Sequence, residues 1–239
     1  MAEPNAPRPY VGGLDSQQAA TAMQAARLNA IELLDSADVL FNLKRFPHSL
    51  VFSVLAIEEV GKLTILQGIL LGLGGTPVEL WRRYRQHRAK TEMLNVGIFA
   101  RIRATLPEVT PEQAQEIAAR GPTPDELETS KQRAIYSDCF EDRGAFVCHL
   151  PKNVDWRQAA WERLCEARAI VLAPRDRLPE ELDVWINHVE AARASGKSLA
   201  DVLPELHKDL VAKGFHREGF WEPLLADLER DRPDVEPGG

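Results

Sequence analysis

The stretch from Pro47 to Leu71 constrains this chain more than any other. It is the longest apolar run in the sequence, opened by a proline suited to the first turn of a helix and closed by the Gly72–Gly75 break "GLGG". At about 100° per residue, Val51, Leu55, Glu58, Glu59, Lys62, Leu66 and Ile69 fall on one arc. Ile57, Val60 and Leu71 occupy the opposite side, so this helix is apolar nearly all round and belongs at the centre of a fold. Yet "LAIEEVGKL" (Leu55 to Leu63) places two carboxylates and an ammonium in its middle. Glu58 and Lys62 form an i,i+4 pair in the favourable order, which in water is worth only a few tenths of a kcal/mol. A buried pair often fails to recover its desolvation cost against an apolar replacement. Stability is therefore a poor reason for these charges, and a polar pocket between helices is the competing one.

Helix signals dominate the rest. Asp15 can cap a helix running to about Phe41. Thr76-Pro77-Val78-Glu79 combines an N-cap, an N1 proline and a capping-box glutamate, opening a third helix expected to reach Ala104. Thr110-x-x-Gln113 and Thr123-x-x-Glu126 repeat the signature, the second opening a helix to about Cys139. Phe140 to Pro151 reads as a loop or short extended piece. Further helices are expected near 155–172, 180–194, 199–213 and 218–230. Without strand alternation of any length, the fold class is all-α.

Four segments follow from this pattern: a flexible lead-in (1–14), a helical domain (15–173), an acidic helical extension (174–231) and a disordered tail (232–239). The charge of −7 is uneven. Residues 174–239 hold 9 Lys/Arg against 15 Asp/Glu, or −6, which leaves −1 on residues 1–173. "WRRYRQHRAK" (Trp81 to Lys90) carries five positive charges and no acid, a local basic patch on a chain that is not a general nucleic-acid binder. The three cysteines, Cys139, Cys148 and Cys165, form no CxxC pair and fit reduced thiols. The first residues lack the apolar core of a signal peptide, and charges interrupt the apolar run, so no membrane span is expected and a cytoplasmic location is.

The third helix supplies partners for the charges on the second. Leu80, Tyr84, His87, Thr91, Leu94 and Ile98 share a stripe, with Arg83 and Lys90 one turn either side of His87. A histidine there is suited to general acid–base work, and cations beside it to stabilising charge on a phosphate. In the fourth element, Arg133 and Tyr136 share a face at i,i+3. No Gly-rich phosphate loop, HExxH or GxSxG is present, and neither Glu58 nor Glu59 has a histidine three residues on, so no metal and no cofactor is expected.

"SVLAIEEVGK" (Ser53 to Lys62), "YRQHRAK" (Tyr84 to Lys90) and "RAIYSD" (Arg133 to Asp138), in that order, together with "AARLNAIELLDSADVLF" upstream, resemble the AbiV-type abortive infection proteins of the HEPN superfamily. The resemblance covers roughly residues 15–155. It implies a helical bundle that dimerises, and a role in bacterial defence against phage in which the infected cell stops growing, with a phage-encoded protein as a possible activator. It also implies metal-independent RNA cleavage through an Arg-x4–6-His motif, a spacing met by Arg82 to His87 and by Arg143 to His149; on an ideal helix Arg83 is the better-placed partner of His87. The expected site has His87 as general acid/base, Glu58 and Glu59 orienting it or the cations, Arg83, Lys90 and Lys62 binding phosphate, and Arg133 and Tyr136 lining the same pocket. Two alternatives stand beside this: a non-catalytic module that binds a phage or host protein, or a nucleotide, through the same cluster, and a cluster that only sets helix register and dimer geometry.

Overall fold

A computed structural model describes residues 8–216, apart from 106–108, 120, 122 and 143. Helix α1 (Ser16–Asn42) and helix α2 (Phe46–Leu71) form an antiparallel pair, joined by a tight turn in which Lys44 adopts a left-handed backbone at φ 59°. Asp15 caps α1 with a full capping box to Gln18. Gly72, at φ 60°, ends α2 in the left-handed conformation that favours glycine. Buried Ser49 donates to the Ala37 carbonyl (2.8 Å), tying the two helices together beneath the turn.

As its composition demands, α2 is the central helix. Val54, Ala56 and Ile57 are fully buried against Ala30, Leu34 and Ala37 of α1 and against Leu164, Ala167 and Val171 of α7 (Arg157–Leu172). Helices α3 (Pro77–Tyr84), α4 (His87–Thr105), α5 (Pro111–Ala118) and α6 (Pro124–Ile135) complete the N-terminal bundle. The capping boxes at Thr76, Thr110 and Thr123 all form.

Two expectations about elements need correction. The third helix is two helices: i→i+3 bonds from the amides of Arg85 and Gln86 to the carbonyls of Arg82 and Arg83 close α3, and α4 starts afresh at His87. No glycine or proline stands there, so tertiary packing imposes the break. Trp81 on α3 donates its indole N–H to the Gly12 carbonyl (2.8 Å) and Arg85 donates to the Tyr10 carbonyl (2.9 Å), while α4 is drawn onto α2. Second, α6 stops at Ile135, and an antiparallel hairpin of β1 (Asp138–Asp142) and β2 (Ala145–His149) follows, turning at Gly144 with φ 80°. The fold remains all-α with this one hairpin added among the described residues.

Helices α8 (Pro179–Ser195) and α9 (Leu199–Ala212) pack onto the bundle. Leu182 shares a core with Ala19, Ile65 and Leu66, and Leu71 shares one with Trp185, Leu203 and Leu206. Arg193 donates to the carbonyls of Leu71 and Gly72 (2.7 and 2.8 Å), satisfying the C-terminus of α2. The helix expected at 218–230, the tail at 232–239 and Arg143 lie outside the described residues. No described helix is long and apolar enough to cross a membrane.

Candidate functional site

The charges of α2 gather where α4 and α6 cross it, and a glycine permits the crossing. A Cβ built on Gly61 would stand 2.0 Å from the Lys90 carbonyl oxygen and 2.6 Å from its carbon. No side chain fits there, so the backbone of α4 lies directly on α2. That contact fixes which residues of α4 reach Glu58 and Glu59.

Glu58 is 2% exposed and is the hub. One carboxylate oxygen accepts a short hydrogen bond from His87 Nδ1. The other accepts from Lys131 Nζ at 2.9 Å, and Lys90 Nζ stands 4.0 Å from the carboxylate. An ionised carboxylate only accepts, so the Nδ1 nitrogen carries the proton that it donates. In the neutral imidazole this tautomer leaves Nε2 as the basic nitrogen. The His87 side chain is 54% exposed, so the ring reaches solvent while its carboxylate partner does not.

Glu59 forms a second, linked pair. Its two oxygens lie 2.6 and 2.7 Å from Lys62 Nζ, at i,i+3. That ammonium also sits over the Tyr84 ring, 4.8 Å from its centroid. The expected Glu58–Lys62 pairing is therefore replaced: Glu58 turns toward α4 and α6, and Lys62 takes Glu59.

The cations differ in how well they are compensated. Lys90 is buried, and its pKa is lowered by burial first and by the neighbouring Lys62 ammonium second, against the pull of Glu58 and Glu59. Burial also works against Lys131, but its hydrogen bonds to Glu128 (2.7 Å) and Glu58 outweigh it and raise its pKa. Lys90 is thus the less neutralised ammonium, beside a solvent-facing imidazole.

Of the expected site residues, His87, Glu58, Glu59, Lys62 and Lys90 come together. Arg83 does not share the face expected of it, because the break at Arg85–Gln86 puts it on α3, where it is exposed. Arg133 and Tyr136 are exposed too. On α6 the inward face is Leu127, Lys131 and Ala134. Arg133 stands about 200° around the helix from Lys131, and Tyr136 is the residue that caps the helix end. Lys131 went unread in the sequence, although its spacing of four from Leu127 and three to Ala134 marks the buried face. His149 serves structure: its Nε2 bonds the Arg133 carbonyl at 2.9 Å, and its ring meets Trp156 edge-on. No group of three or more metal-ligating side chains occurs among the described residues.

The architecture, then, is a helical bundle whose central helix presents "EEVGK" to a histidine and lysines of its neighbours. The family model described as AbiV, of the HEPN type, matches residues 18–172, and the chain belongs to this family. Comparisons with curated proteins and with solved structures return no match.

Proposed function

We propose that this protein acts in anti-phage defence by abortive infection, and that it does so by cleaving RNA at His87 without a metal. Family membership supports the defence role. The observation that carries the chemistry is the solvent-facing imidazole of His87, held at Nδ1 by the buried Glu58 carboxylate.

In this reading Nε2 takes the proton of a ribose 2′-hydroxyl. The hydroxyl oxygen attacks the adjacent phosphorus and the bond to the 5′-oxygen breaks. The products are a 2′,3′-cyclic phosphate and a 5′-hydroxyl, the latter receiving its proton from the imidazolium. Glu58 keeps the ring in the productive tautomer and stabilises the imidazolium as it forms. Lys90, poorly compensated and adjacent, offers positive charge to the phosphorane, and the basic stretch Arg82 to Arg88 draws the polyanion toward it.

The experiment compares inducible wild type and His87→Ala, following growth, total RNA and the ends of cleaved fragments with and without EDTA. Growth arrest with EDTA-insensitive cyclic-phosphate ends in wild type only is the expected result. A folded His87→Ala protein that stays equally active, with RNA intact in both, ends the nuclease reading and leaves the non-catalytic binding module.

A further inference from the structure

The hairpin after α6 brings together two of the three cysteines, and the cluster around Glu58 uses neither. In the antiparallel register Cys139 lies directly opposite Cys148, Phe140 opposite Val147 and Glu141 opposite Phe146. Opposed residues in such a ladder have Cα atoms about 4.5 or about 5.5 Å apart and side chains on the same face. Both separations fall within the range of about 4.4–6.8 Å that a disulfide spans. The two Sγ atoms are 2.7 Å apart and both residues are exposed. A bond between them therefore needs no rearrangement of the backbone, and an oxidant in solution reaches either sulfur.

The position of the pair gives the bond a consequence. A two-stranded hairpin is marginal on its own, and Ala145 to Cys148 of β2 are exposed. One tie to the bundle is the next residue: His149 bonds the carbonyl of Arg133 in the last turn of α6. Two residues earlier on that helix, Lys131 holds Glu58. Fixing the Cys139–Cys148 register fixes where His149 meets α6.

We infer that Cys139 and Cys148 are a peroxide-sensitive pair that closes into an intramolecular disulfide and locks the hairpin against α6. One thiolate attacks a peroxide oxygen; the O–O bond breaks, hydroxide leaves and is protonated to water, and the sulfur becomes a sulfenic acid. The second thiol attacks that sulfur, the S–O bond breaks, and a second water departs with the thiol proton. Two thiols supply the two electrons that reduce one hydrogen peroxide. This stands apart from the nuclease reading and does not depend on it.

The test treats the purified full chain with hydrogen peroxide, caps remaining thiols with iodoacetamide, and maps the cysteines by intact and peptide mass. Wild type and Cys165→Ser should both yield a Cys139–Cys148 bridge within one chain, reversed by dithiothreitol. Cys139→Ser and Cys148→Ser should yield none. Amide exchange across residues 138–149 should slow on the order of tenfold in the oxidised protein. Bridging to Cys165, conversion of Cys139 and Cys148 to separate sulfinic acids, or capping of both after peroxide would each overturn the pairing. A bridge that leaves exchange unchanged would overturn the lock.

Discussion

Glu58 on α2 and Glu181 on α8 are both buried carboxylates, and each sits against two basic side chains and a histidine. Glu181 meets Arg177, Arg175 (2.9 Å) and His216 (3.2 Å) and is fully buried. Glu58 meets Lys131, Lys90 and His87. The composition is nearly the same, and the chemistry is not. Guanidinium groups are planar, always charged and rich in donors, so they saturate a carboxylate. Arg175 also bonds the Phe215 carbonyl, and His216 reaches both Arg177 (3.3 Å) and His207 (3.2 Å), so every group has further partners inside the knot. That knot clasps the connection after α7 to the start of α8 and the end of α9. Around Glu58 the donors are point-charge ammoniums, one stands off at 4.0 Å, and the histidine faces water. A saturated cluster holds helices together; an unsaturated one with an open imidazole is equipped to act on something else.

The largest perturbation should come from the position that brings α4 to Glu58. Gly61→Ala forces a methyl into the Lys90 backbone, so α4 must lift away from α2. A loss of at least about 3 kcal/mol is expected, beyond the usual cost of overpacking because the obstruction is backbone. Urea unfolding measures it. A loss below about 1 kcal/mol would show that the two helices slide freely, and the cluster would then not be held in register by that contact.

Next, Glu181→Gln should cost more than Glu58→Gln. The first strands two arginines in a knot built around a charge, at roughly 3 kcal/mol. The second leaves Lys131 its bond to Glu128 and lets His87 turn to solvent, so about 1–2 kcal/mol is expected. The order of the two values, from parallel unfolding curves, is the point: an equal or reversed order would remove the distinction between clasp and site.

The same comparison has a pH signature. Burial pushes the pKa of Glu181 up, but the His216 hydrogen bond and the two arginines overcome it and bring it from 4.5 to about 2. A carboxylate with a lowered folded pKa contributes stability that is fully present above its unfolded value and disappears as pH falls through the folded one. Wild type should therefore lose about 3 kcal/mol between pH 4.5 and about 2 that Glu181→Gln does not lose. Unfolding midpoints across that window check it; parallel acid limbs in the two proteins would contradict the assignment.

How much of this could be read in the chain depended on range. The capping boxes at Thr76, Thr110 and Thr123 are three-residue matters, and they form where the sequence places them. The all-α fold and the central position of α2 follow from composition and period. That His87 faces the Glu58–Glu59 carboxylates is legible because "EEVGK" and "HRAK" each put charge on an otherwise apolar stripe; which of the two carboxylates it takes is not. The choice of Glu59 over Glu58 for Lys62 was not legible, since both spacings suit a helix and only the neighbours on α4 and α6 decide between them. The break at Arg85–Gln86 carries no local signal because competing anchor points on either side create it. Arg133 and Tyr136 share a face at i,i+3 and sit in the family-like "RAIYSD" stretch, but the helical period carried back to Leu127 assigns the buried face to Leu127, Lys131 and Ala134. Phe140 to Pro151 reads in the sequence as a loop or short extended piece, and its pairing into a hairpin is not legible because each strand is only five residues long.

The smallest expected stability effect separates the two clusters most sharply. Lys90 is a buried ammonium whose lowered pKa records what the folded state gives up to keep it charged. Between that lowered value and 10.5 the unfolded chain binds the proton more readily than the folded one, so the penalty falls as pH rises. Lys90→Met keeps most of the aliphatic volume and removes the charge. It should leave stability at pH 7 unchanged within about 0.5 kcal/mol or raise it by up to about 1 kcal/mol, as replacement of poorly repaid buried charges does. Arg177→Met, by contrast, should destabilise. If growth arrest is lost in Lys90→Met while its unfolding midpoint holds or rises, the ammonium is retained for what it does and not for what it holds together. A clear drop in stability would place Lys90 with the arginines of Glu181, as part of a second clasp.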